Sequence, residues 1–67
     1  MPYASNDDLP PAVRDHLPEH AQDIFREAFN HAWQQHAGDE QTAFRIAWGA
    51  VKRHYRKQDD RWVPLGR

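Results

Sequence analysis

The 67-residue chain contains no cysteine, which excludes a disulfide framework and a thiolate metal site, the usual reinforcements of so small a scaffold. It has three glycines, and none lies in a phosphate-cradling loop. No stretch approaches the roughly 20 apolar residues that span a bilayer. Residues 1–8 lack the basic start and apolar run of a secretory signal. Hydroxyl nucleophiles are as scarce: apart from the tyrosines there are only Ser5 and Thr42. Neither has a base in register, so no catalytic residue is assigned.

What remains is unusually aromatic. Tyr3, Phe25, Phe29, Trp33, Phe44, Trp48, Tyr55 and Trp62 each bring about 150–250 Å² of buriable surface. A chain this short buries only about 60% of what it exposes when unfolded. Ile24, Ile46, Val13, Val51, Leu9, Leu17 and the alanines must therefore join the aromatics in one core.

Proline and hydrophobic spacing mark out the elements. Leu9 and Leu17 each precede a proline, which steers them out of helical conformation. They bracket a first helix over 11–16, opened by Pro11. Pro18 opens a second helix over 18–36. There Ala21, Ile24, Phe25, Ala28, Phe29, Ala32 and Trp33 recur at i, i+3, i+4, i+7, i+8, i+11 and i+12, an unbroken core-facing stripe. Gly38 supplies a left-handed stop, and Asp39 caps a third helix over 40–57. Phe44, Ala47, Trp48, Val51 and Tyr55 form the stripe of that helix, and Gly49 admits close approach, as of Trp33. Residues 58–60 read as a turn. Trp62 and Tyr3 are best buried by pairing strands 61–63 and 2–4, so the expected architecture is mainly α: one domain over 1–67, three helices, and a small two-stranded sheet from the termini.

Charge is balanced in total and uneven in distribution. Residues 1–40 carry eight acids against Arg14 and Arg26, a net −6, whereas residues 41–67 carry seven bases against Asp59 and Asp60, a net +5. This pattern marks either a basic binding face or an acidic half packed against a basic one. Lys52, Arg53, Arg56, Lys57 and Arg61 are the candidate partner-binding residues. On an ideal helix, 52 and 56 form one row and 53 and 57 another, although cations there also complement the helix dipole.

Five histidines raise the question of a metal. Pro18 separates His16 from His20, and His31 and His36 lie five apart on different faces. Neither pair has the glutamate of an HExxH motif. The pairs Asp7/Asp8, Asp39/Glu40 and Asp59/Asp60 lack the oxygen spacing of a calcium loop. No metal and no cofactor is expected.

Leu9-Pro10, Val13, Leu17-Pro18, His20-Ala21-Gln22, Ile24-Phe25, Ala28-Phe29-Asn30, Ala32-Trp33, Ala43, Ala47-Trp48, Val51-Lys52, Tyr55 and Trp62, with the opening Met1-Pro2-Tyr3, resemble the ChaB family. The resemblance implies a compact fold of three helices and a small sheet, similar to the cyclin box. It also implies a part in regulating a sodium or calcium/proton antiporter, with no catalytic residues carried over. Some members have a long charged loop between helices 2 and 3, where Ala37 to Gln41 is short here. The expected function is a non-enzymatic, cytoplasmic, monomeric adaptor that contacts the cytoplasmic face of a cation antiporter. The alternative is a nucleic-acid-binding accessory domain that uses the basic end of helix 3.

Overall fold

The computed structural model describes residues 2–65. Helix α1 is Pro11–Arg14, α2 is Glu19–Gln35 and α3 is Glu40–His54; strands β1, Tyr55–Gln58, and β2, Arg61–Pro64, follow. A single 3₁₀ turn, Asn6–Asp8, precedes α1. Three helices and a two-stranded antiparallel sheet agree with the expected class, and the differences lie in how the chain ends are held.

Helices α2 and α3 form the centre as a helical hairpin. Phe25, Phe29, Ala21, Ala43, Ala47 and Val51 have no exposed surface, and the buried alanines let the two helices approach closely. Phe44 meets both phenylalanines edge-on, at 5.4 and 5.5 Å between centroids, and Trp48 meets Phe25 edge-on at 5.2 Å. This geometry sets the positive ring edge against the negative ring face. Trp33 and Trp48 flank this core and are half-buried. Leu9, Val13 and Leu17 close the core from the α1 side. The Gln22 side-chain amide pins α1 there by donating to the carbonyls of Arg14 and Leu17.

At the end of α2, the Gly38 N–H donates to the Trp33 carbonyl at 3.0 Å, with Ala37 at φ 55 and Gly38 at φ 79. The left-handed stop expected at Gly38 is thus shared, and Ala37 occupies the position glycine usually takes. Asp39 caps α3: it accepts from the Thr42 N–H at 3.3 Å and from the Thr42 hydroxyl at 2.8 Å. These bonds, that of the hydroxyl foremost, hold its carboxyl below the usual aspartate value.

Several expectations are corrected, and the first helix ends at Arg14 rather than at 16. Helix α3 stops at His54 rather than 57, because Tyr55 turns extended, at φ −137 and ψ 156. The i+4 spacing from Val51 to Tyr55 imitates one more helical turn. The extended path instead brings Trp62 back onto Trp48, at 5.6 Å, where a longer helix would carry it away. The sheet is therefore a local hairpin, with Lys57 opposite Trp62 and Arg56 opposite Val63, and not a pairing of the termini. Its loop is Asp59–Asp60, both left-handed at φ 51 and 66, as a two-residue turn matching strand twist requires.

Residues 2–4, expected to be a strand, lie instead along α2. Asn30 substitutes for the missing strand partner, with Oδ1 accepting from the Tyr3 N–H and Nδ2 donating to the Tyr3 carbonyl, both at 2.8 Å. The Tyr3 ring then packs at a tilt against Phe29, at 4.8 Å between centroids. Burial, and secondarily the Glu40 carboxylate, raise its phenol above the ordinary value. Gly49, expected to receive Trp33, does not: a Cβ there meets nothing within 4 Å, and Trp33 lies over Gly38.

Candidate partner-binding site

The five basic residues are exposed but sit on three different elements. Lys52 and Arg53 occupy the last turn of α3 beside His54, while Arg56 and Lys57 belong to β1 and Arg61 to β2. The two helical rows expected from the spacing do not exist, because successive strand residues point to opposite faces. Tyr55 is buried and Trp62 half-buried, so the hairpin face they share is turned to the core. By the pleat, Arg56, Gln58, Arg61 and Val63 share the outward face. The Arg56 guanidinium donates to Gln58 Oε1 at 3.5 Å, and the Leu65 N–H closes the base of the hairpin on the His54 carbonyl. Gln58 and Val63 were not distinguishable as site residues in the sequence, since membership of this face depends on the register.

The ion pairs bear on the two readings of the charge pattern. Among the described residues the ion pairs are Arg26 with Asp23, at 3.6 Å, and Arg14 with Asp15, at 3.9 Å. Both lie within the acidic first forty residues, and neither joins the two halves. The basic end is thus not consumed by packing against the acidic end. Arg61 stands at the mouth of a cleft of about 310 Å³ shared with Asp15, His16, Asp60 and Trp62, so its surroundings are mixed in sign. Lys52 and Arg53 stand in the last turn of α3 with His54.

Chemistry beyond charge finds little support in the arrangement. Thr42 spends its hydroxyl on the Asp39 cap, and no buried polar or charged side chain occurs among the described residues. Among those residues, too, no three His, Asp or Glu side chains converge as a metal set, and no helix is long and apolar enough to cross a membrane.

The family model named ChaB matches residues 9–65. The chain belongs to the ChaB family. One similar protein, from Escherichia coli strain K12, carries the name "Putative cation transport regulator ChaB"; the two are 49% identical over 72 residues, covering 92% of this chain and 95% of that one. The NMR solution structure of a ChaB protein bearing that same description superimposes with a TM-score of 0.86 at 45% identity, over 97% of this chain and all of the other. A protein of the Lymantria dispar multicapsid nuclear polyhedrosis virus is 33% identical over 51 residues, covering 76% of this chain and 72% of the viral one. The structural similarity thus extends over the hairpin region as well as the helices.

Proposed function

We propose that this ChaB-family chain is a non-enzymatic regulatory adaptor that binds the cytoplasmic face of a sodium or calcium/proton antiporter. The contact surface is the basic end formed by Lys52, Arg53, Arg56 and Arg61, with Lys57 exposed on the other pleat face, opposite Trp62. The observation that carries the reading is that these side chains are exposed, held on ordered elements and unpaired with acids among the described residues. Cations so placed steer an acidic partner and fix its orientation more than they add raw affinity. The name of the Escherichia coli relative, a cation transport regulator, supports a partner that takes part in cation transport.

The test is charge reversal on the outward hairpin face. An Arg56→Glu/Arg61→Glu protein keeps its fold, since both residues are exposed, and loses co-purification with the antiporter together with its effect on proton-coupled cation flux. Wild-type association weakens as salt rises from low to physiological strength, because exposed charges are screened within about 8–10 Å there. Unchanged association of the reversed protein overturns the reading. If wild-type protein instead binds duplex DNA or RNA below micromolar at physiological salt, with affinity falling by about 0.9 log units per log unit of salt for each phosphate contacted on DNA, the nucleic-acid reading replaces it.

A further inference from the structure

A groove of about 340 Å³ runs between α2 and α3, lined by residues of these two helices and by none of the strands. Helix α2 contributes Ala28, His31, Ala32 and Gln35, and α3 contributes Ile46, Gly49, Ala50 and Arg53. Each set follows i, i+3, i+4, i+7, so the walls are two parallel helical ridges about two turns long. Three features need an account that the fold does not supply. Ile46 is a large apolar side chain left 40% exposed. Gly49 is the least favourable residue except proline for a helix interior, yet its φ is not left-handed and a Cβ would meet nothing within 4 Å. Nothing inside the molecule therefore calls for glycine there. Finally, no acid lines the groove, and Arg53 at its rim makes no ion pair among the described residues.

We propose that this groove seats one amphipathic helix of a partner protein, with small and apolar residues against Gly49, Ala50 and Ile46 and a carboxylate meeting Arg53. Ridges two turns long match the way helices lie in grooves, by anchors at i, i+3, i+4 and i+7. A missing Cβ at Gly49 lets the incoming helix backbone come close. Charge selects the occupant: a second copy laid face to face brings the cationic rim onto itself, whereas an acidic amphipathic helix is complementary to it. The inference rests on reading the chain as a protein-binding regulator, but the groove shares only Arg53 with the basic end and contains neither Arg56 nor Arg61, the residues reversed on the hairpin. Failure of the hairpin charge reversal therefore leaves it standing, and its own failure leaves the hairpin site standing.

The test uses the full chain, labelled with ¹⁵N, and two stapled helical peptides about four turns long. They share an Ala/Leu face and differ only in Glu or Lys at the groove-facing end. The Glu peptide is expected to saturate with shifts confined to Ala28, Ala32, Ile46, Gly49 and Ala50, and to bind at least about tenfold more tightly than the Lys peptide. Gly49→Leu abolishes that binding without lowering the circular dichroism melt, and Arg53→Glu, at an exposed position, inverts the charge preference. Equal affinity for both peptides, shifts on the hairpin instead, no saturation at millimolar peptide, or groove shifts on concentrating the protein alone would each overturn the proposal, the last in favour of self-association.

Discussion

The two ends of the α2–α3 hairpin are closed by different physics. At the N-terminal end a strap with little regular structure is tied down by polar side chains of α2: Asn30 holds Tyr3, while Asp23 and Arg26 hold Asn6. At the C-terminal end a β-hairpin satisfies its own backbone through its ladder and docks through Trp62 on Trp48. The strap borrows its hydrogen bonds, whereas the hairpin makes its own. An element of the first kind depends on a few side chains elsewhere in the chain; one of the second kind depends mainly on its apolar anchor.

Breaking what both ends share gives the largest effect. Phe29 is fully buried and supports Tyr3, Trp33 and Phe44, so Phe29→Ala is expected to cost about 3–5 kcal/mol in denaturant unfolding, most of the stability of so small a fold. Trp62→Ala removes the hairpin's anchor. As Trp62 is only half-buried, about 2 kcal/mol is expected, with near-ultraviolet changes at Trp48 and with amide shifts at Tyr3 unmoved. Asn30→Ala does the converse: about 1 kcal/mol is lost, since the freed Tyr3 groups can turn to water, and amide exchange accelerates in the strap but not in the hairpin.

The smallest effect is a pH dependence confined to the strap. The Tyr3 phenol is raised by burial and then by Glu40. Its contribution is therefore complete below the unfolded tyrosine value of 10.0 and is lost as pH rises through the higher folded one. Melting curves of wild type and Tyr3→Phe should run parallel up to about pH 10 and separate above it, with only the wild type losing this increment; parallel curves throughout would remove Tyr3 from the account.

Which parts were legible in the sequence follows from the same contrast. The stripes of α2 and α3 were readable because burial repeats with the helical period, and the fully buried side chains of those helices fall on them except Ala43, which lies beside the α3 stripe. Asn30 was not readable as the partner of Tyr3, since one amide that mimics a strand has no periodicity. The hairpin was concealed by Tyr55, whose position four residues after Val51 suits a helix, while its buried side chain is equally well placed at the start of β1. Asp59-Asp60 was readable as a turn, but aspartate is a weaker hairpin signal than Asn-Gly. For the basic site, composition identified the residues and register decided their grouping: Arg56 and Arg61 became neighbours, and the row of Lys52 with Arg56 dissolved. Gly49 misled because an interior glycine usually marks a contact within the fold, and here it faces outward.

The strap's anchors also order events in time. Tyr3 and Asn30 are 27 residues apart in the chain, while the β-hairpin partners lie within ten residues of each other and α2 and α3 are joined by four residues. Local pairings form ahead of distant ones because less loop entropy must be lost first. The helical pair and the β-hairpin thus constitute the nucleus, and the strap latches afterwards. Asn30→Ala should then leave the refolding rate nearly unchanged and put its effect into faster unfolding, which makes the N-terminal strap a determinant of how long the native state lasts rather than of how quickly it is reached.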